Sequence, residues 1–473
     1  MSNVTSTIET EPTLNPSHRI RRHLPVWLAV VAVIVLAVNL RPGATSIGPL
    51  LSELRAGLHM GPGVAALLSA MPPFCFAIIG AFAARIGGRF GTTRTLAVAA
   101  LVITGGLLGR VLVHGEMSFL ALSVLALAGM AVGNVLAPVF VKRFFPGHVA
   151  GMMSVYTTVL PIGALAPSLL VPVIFASHPG NWQLNLGVWG ATAAVALVVW
   201  VVVAAIAPHA GHMRDMTEGA VQRKGPTMWE IARTRKGLAL GLFFGLQSMQ
   251  AYVSFGWLPQ IFRDAGLSVA QASLLLSLFN VIAIPGGLVM PIVAQKLTRP
   301  TGMIVVLGIL LAGGYVGLLL APAALPWLWT IMLSLSGWAF PLAIALVAER
   351  SRDPLVTAQL SGFSQALGYL IAGVGTWLVG TVHGITNGWT VPHVVGWSSP
   401  LFRRAGGRPG FRMGFTSFGS RPARRSASRR TISICALVDR SSSLAHRCSA
   451  SCTAGSSRSR SVLRSLMAPA DQL

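Results

Sequence analysis

The sequence predicts an all-α membrane protein with about eleven transmembrane helices, and two observations carry that prediction. Hydrophobic residues fill 53% of the 473 positions and charged residues only 10%, too little charge for a surface that faces water on every side. Apolar runs of about twenty residues, each long enough for a ~30 Å hydrocarbon core, recur between short polar connections.

The runs fall near residues 26–48, 62–84, 95–113, 118–140, 150–176, 184–207, 238–262, 270–294, 303–321, 327–348 and 356–382. The first follows Arg19, Arg21 and Arg22. It is long and lacks a small-residue cleavage pattern, so it reads as an uncleaved anchor and not as a signal peptide. Eighteen basic residues lie in segments on the N-terminal side of the membrane, against three (Arg55, Arg110 and Arg263) in the opposite loops. That asymmetry puts the N-terminus in the cytoplasm of a multi-pass protein of the inner (plasma) membrane.

The longest polar connection, Pro208 to Gly237, separates six spans from the rest. The expected organisation is an N-terminal cytoplasmic segment (1–25), a six-helix bundle (26–207), a cytoplasmic linker (208–237), a second bundle of five helices (238–392) and a basic tail (393–473). An internal repeat supports the division: LLSELRAGLHMGPGVAALLSAMPP, Leu50 to Pro73, echoes LPQIFRDAGLSVAQASLLLSLFN, Leu258 to Asn280. Paired repeats are how many secondary transporters are built, with the site near the midplane between them.

Gly80, Ala84, Arg85, Ile86, Gly87, Gly88 and Arg89 follow the spacing of the inner-loop motif between the second and third helices of the major facilitator superfamily. Ala84 stands where that motif has Asp, and Gly88 where it has a basic residue. The sequence thus resembles that superfamily while losing the motif's charge relay. The resemblance implies close helix packing at Gly80 and an inner-gate role for Gly80, Arg85, Gly87 and Arg89. The stretches NLRPGATSIGPLL, GNVLAPVFVKRFFP, GLQSMQAYVSFGWLPQIFRDAGLS and LSGFSQALGYLIAGVG are similar to its cyanate and 2-nitroimidazole transporter branch, from about residue 25 to Pro392. This implies a two-bundle fold of which about eleven helices are present and the twelfth is lost. It also implies that the spans bearing Tyr156, Asn280, Trp338, Gln365 and Tyr369 line the cavity.

The twelve acidic residues all lie in loops, at span ends or in terminal segments, so a mid-membrane carboxylate for proton coupling or for gripping cationic drugs is not expected. Arg41 is different. It lies fifteen residues into the first run, ~23 Å along a helix that rises ~1.5 Å per residue. It either snorkels to the headgroups or faces inward. Pro42 favours the second: it cannot donate to the carbonyl of Val38 and it disfavours helical dihedrals at Arg41, so the helix is expected to open there. Freed backbone is tolerated only where protein or water covers it, and a guanidinium facing inward can grip a planar anion.

Asn39 accompanies Arg41 in the expected substrate site. The first span of the second half offers Gln247, Gln250, Tyr252 and Trp257, read either as cavity lining or as helix–helix glue. No phosphate-binding loop appears, His209 and His212 lack further metal ligands, and no catalytic constellation is recognisable. The expectation is a monomeric secondary transporter of a small anion or flat polar solute, not an enzyme, needing no cofactor or metal and binding no nucleic acid. The alternatives are a drug or metabolite efflux protein of the same superfamily, or a transport-inactive sensor or truncated product. The tail from His393 carries fourteen Arg and two acids. It is expected to be disordered, its reading frame altered near His393 so that arginine-rich text replaces the last helix.

Overall fold

The computed structural model describes residues 24–207, 228–296, 301–349, 354–386 and 388–389. All of these lie in the first of two compact units, Met1–Phe418; the second, Gly419–Leu473, lies outside the described residues, as does the whole tail expected from His393. Among the described residues the regular structure is entirely helical, and eleven helical stretches are long and apolar enough to span a bilayer.

The first span, 26–57, is not one rod. It consists of α1 (Val26–Asn39), α2 (Pro42–Thr45), a 3₁₀ turn (Gly48–Leu50) and α3 (Leu51–Gly57). The other five spans of this half are α4 (Pro62–Phe90), α5 (Thr92–Leu112), α6 (Glu116–Phe144), α7 (Val149–Ser177) and α8 (Trp182–Ile206). A short helix, α9 (Met228–Ala232), stands inside the stretch expected to be wholly a polar loop, and Thr234 caps the next helix by accepting from Gly237 N. Then follow α10 (Arg235–Asp264), α11 (Val269–Lys296), α12 (Thr301–Leu320), α13 (Pro326–Ser336), α14 (Ala339–Glu349) and α15 (Pro354–Thr386). The tenth span is thus also broken, between α13 and α14 at Gly337–Trp338.

Within the first half α5 packs on α6 and α8, α4 on α6, and α1 on α7 and α8, and within the second α10 packs along α15 while α11 packs on α13 and α14. The halves meet along two helix pairs, α4 with α15 and α7 with α11. Small residues permit these approaches, as is general for helices in lipid. A Cβ at Gly384 would meet Pro62, one at Gly380 would meet Ala66, and one at Gly373 would meet Phe74. Ser277 Oγ on α11 donates to Ser168 Oγ on α7 at 2.9 Å.

The inner-gate residues are placed differently from expectation. Arg85, Gly87 and Arg89, expected just beyond the second span, lie like Gly80 within α4, and the connection to α5 is Gly91 alone, at φ 86°. Only glycine takes that left-handed conformation without steric cost. The tight helix contact is at Gly87, where a Cβ would come within 2.7 Å of Leu136; at Gly80 the nearest atom is 3.8 Å away, ordinary van der Waals distance. Arg85 and Arg89 are exposed, the latter over the Phe90 ring.

Candidate functional site

The site begins at the break in the first span. Pro42 brings no N–H to the Val38 carbonyl, and the chain covers that carbonyl with the backbone of α7 at Gly163, where any Cβ would collide with Val38 O. Leu40 N turns back to Ala37 O at 3.3 Å, a tightened i→i−3 bond that ends α1. Arg41 sits in the gap at φ −119°, ψ −37°, and its carbonyl starts the next helix by accepting Ala44 N, Thr45 N and Thr45 Oγ1 at 3.0, 3.1 and 3.2 Å. The opening expected at Arg41–Pro42 is therefore present.

This leaves Arg41 half-buried among aromatic rings. Its guanidinium lies over the Phe76 ring of α4, 5.9 Å from the centroid, within range for a cation–π contact. Tyr252, Tyr369 and Tyr156 lie around it. These are three of the four tyrosines in the protein. They come from α10, α15 and α7, so both halves of the fold contribute. The Tyr252 hydroxyl faces the guanidinium without forming a hydrogen bond of standard geometry. The cage is closed by ring contacts: Tyr369 lies 6.2 Å from Tyr252, 5.8 Å from Phe76 and 5.6 Å from Phe244. Tyr156 donates to Asn134 Oδ1 at 3.1 Å. Among the described residues no carboxylate pairs with Arg41.

The remaining expected site residues divide. Gln250 is buried and donates to Leu333 O and Ser336 Oγ at 3.1 and 3.4 Å, closing the end of α13 at the tenth-span break, while its Oε1 has no partner. Gln247 is buried with its Oε1 likewise free. Trp338, at that break, donates to Ile282 O of α11 at 2.8 Å. Asn39, Trp257, Asn280 and Gln365 make their hydrogen bonds with other groups. Asn39 exchanges hydrogen bonds with Thr192 of α8, its Oδ1 accepting from the Thr192 hydroxyl at 2.9 Å. Trp257 donates to Thr376 O of α15. The Asn280 amide bonds back to Leu276 O within its own helix, and Gln365 is exposed beside Ser361. Helix pairing takes up Asn39 and Trp257, while Asn280 and Gln365 bond within their own helices.

The sequence reading missed Arg110. Counted there as a loop charge, it lies in α5, is 1% exposed, and donates to Gly43 O at 3.2 Å and Ser46 Oγ at 3.3 Å. Arg41 is therefore not the sole charge held within the spans. The reading also missed Phe76 and Phe244, which on apolar helices gave no signal to separate cage from core.

One face of the molecule ties the halves together directly. Arg263 at the end of α10 makes a bidentate pair with Glu53 of α3, Nη1 to Oε2 at 2.9 Å and Nη2 to Oε1 at 2.8 Å. Ser52 donates to Gln260 Oε1 at 2.7 Å, and Gln260 donates to Asp264 at 2.6 Å. Gly48 presses on the backbone of α10 at Phe255 O, with no room for a Cβ. The repeat that paired Leu50–Pro73 with Leu258–Asn280 in the sequence thus places its two copies side by side at this face.

The sequence pattern described as Major Facilitator Superfamily matches residues 28–376. The chain belongs to the major facilitator superfamily. The superfamily fold recurs in solved structures: a D-xylose-proton symporter superimposes with a TM-score of 0.60 at 15% identity, covering 80% of this chain and 97% of that one. The nucleoside transporter NupG (D323A mutant) gives 0.63 at 12% identity, covering 78% and 96%. In sequence, the chain is 33% identical over 372 residues to the uncharacterized transporter YycB of Bacillus subtilis (strain 168), covering 78% of this chain and 89% of that protein. It is 31% identical over 370 residues to the 2-nitroimidazole transporter of Escherichia coli (strain K12), covering 77% and 90%. The cyanate transport protein CynX of the same organism is 28% identical over 361 residues, covering 76% and 91%. The chain is thus a multi-pass membrane protein of a transporter superfamily, in the branch that its motifs resembled.

Proposed function

We propose that the chain is a secondary transporter that carries a small anion or flat polar solute, of the cyanate or nitroimidazole type, by alternating access. It works as a monomer in the inner membrane, with its N-terminus cytoplasmic. The observation that carries this reading is Arg41, a guanidinium set in a helix break, walled by tyrosines from both halves and without a carboxylate among the described residues. A cation that the fold leaves unneutralised favours a ligand that supplies the negative charge or acceptor atoms. The aromatic walls favour a flat one, and a substrate in contact with both halves is what a rocking mechanism requires. The same charge balance disfavours efflux of cationic drugs.

The test is uptake of labelled cyanate and of 2-nitroimidazole into proteoliposomes. Losing a charge-assisted hydrogen bond worth about 1.5–3 kcal/mol corresponds to roughly a tenfold or greater loss. Arg41→Gln is expected to weaken uptake by that factor while leaving the protein folded. Uptake unchanged in Arg41→Gln refutes the site.

A further inference from the structure

Arg110 is a buried charge that the proposed cargo site does not use directly. It is among the largest fully buried side chains, its Nε has no hydrogen-bond partner, and among the described residues no carboxylate pairs with it. Its other polar contacts are Gly43 O and Ser46 Oγ, and its guanidinium lies 6.0 Å from the Phe119 ring centroid. Burying an unpaired ion costs several kcal/mol, so a donor needed only to satisfy one carbonyl would be cheaper if neutral.

The two partners explain the choice of arginine. Gly43 lies within the four-residue helix α2 and Ser46 is its C-cap, at the end that precedes the 3₁₀ turn. A planar fork with several donors can hold both atoms at once, which the single ammonium of lysine does less well. The segment is also clamped sterically: a Cβ on Gly43 would collide with Met130 and crowd Leu107. Arg41 is the residue immediately before this clamped segment.

We propose that Arg110 is a positioning residue for transport: by gripping Gly43 O and Ser46 Oγ it fixes the segment 42–46 and thereby the reach of the Arg41 guanidinium into the tyrosine cage. This rests on the reading of Arg41 as the anion-binding group. A positioning residue sets ligand affinity, whereas a residue that only supports the core changes the amount of active protein.

The experiment uses the full chain in nanodiscs and proteoliposomes, with two readouts. Hydrogen exchange of backbone amides in 43–48 reports on the clamp without any ligand. Binding and uptake of cyanate and azide report on the site. In Arg110→Met, exchange in 43–48 is expected to speed up by about tenfold or more, and the cyanate Kd and KM to rise by a similar factor, with Vmax within about twofold. Arg110→Lys recovers part of both effects. Ser46→Ala removes one partner and keeps the charge, and gives a smaller rise of roughly threefold in each.

Unchanged Kd in Arg110→Met, or a fall in Vmax at constant KM, overturns the proposal. Should Arg110→Met fail to insert, Ser46→Ala and Arg110→Lys decide: wild-type exchange and wild-type Kd in both overturn it. Arg41→Gln separates the two levels. If Arg41→Gln loses affinity while Arg110→Met does not, only the role of Arg110 falls. If wild-type protein binds neither anion, or Arg41→Gln binds both as tightly as wild type, the underlying site falls and the inference with it.

Discussion

Tyr252 illustrates how the site separates function from stability residue by residue. Its hydroxyl is buried, forms no hydrogen bond of standard geometry and faces Arg41. A buried hydroxyl that meets only the Arg41 guanidinium, in poor geometry, contributes little net stability because its desolvation cost offsets the contact, so removing it leaves the fold nearly unchanged. Tyr252→Phe is therefore expected to melt within about 2 °C of wild type or slightly above it, while KM for cyanate rises several-fold, about 1 kcal/mol. A scanning-fluorimetry melt and an uptake titration on the same preparation check both halves of that statement. At this scale Arg41 was legible because it is a charge inside an apolar run followed by proline, a conflict between local preference and environment. Arg110 was not legible. It lies two residues from the end of α5, and a charge near a span end is ordinarily a headgroup or loop group; only the fold reveals that α1–α2 turns its side chain inward. Asn39, Trp257 and Asn280 carry a weaker signal, since a polar group within a span can as readily be satisfied by a neighbouring carbonyl as by a ligand.

The broken spans of the two halves share one device, a proline that leaves the carbonyl four residues before it without its helical donor. In the first span the interruption follows from Pro42, and it could be placed from the sequence. In the tenth it falls at Gly337–Trp338, where Pro341 in the first turn of α14 brings no N–H to the Gly337 carbonyl, and side chains from other helices add to it. Gln250 of α10 caps α13 through Leu333 O and Ser336 Oγ, while the Trp338 indole lies flat against Gly286 of α11 and donates to Ile282 O. Gly337 and Pro341 mark that break in the sequence, whereas the partners that hold it come from other helices and leave no local sign. Conversely Pro72, Pro73, Pro138, Pro161 and Pro285 lie inside continuous helices. Gly286→Val fills the space that Trp338 occupies and is expected to lower the melting temperature by several degrees and to abolish most uptake; overpacking of this kind costs about 1–3 kcal/mol. The double variant Gly286→Val, Trp338→Ala restores part of the stability. A double variant no more stable than Gly286→Val alone would show that the contact does not organise the break.

At the scale of the whole molecule, the two-bundle architecture was the most legible feature, because span periodicity and the internal repeat report on it many times over. The state of the molecule was not legible, since it depends on which surfaces of the halves touch. Glu53 and Arg263 join those halves at one face, with side chains 13% and 19% exposed. An ion pair this well shielded has a defined geometry and, when only one partner is removed, leaves an uncompensated charge. Spin labels at the exposed positions Ala56 and Ile385 report the separation of the halves there. Glu53→Gln is expected to shift that distance distribution toward longer values, and the exchange Glu53→Arg with Arg263→Glu to move it back toward wild type. A distribution unmoved by Glu53→Gln would mean that the pair decorates the face without holding it. Nearby, Gly48 and the Phe255 carbonyl bring the two bundles together backbone against backbone. With no side chain to cushion it, a single methyl group added by Gly48→Ala is expected to work as a shim that wedges that face ajar, and, if the proposed alternating access holds, to favour the state in which the face is open.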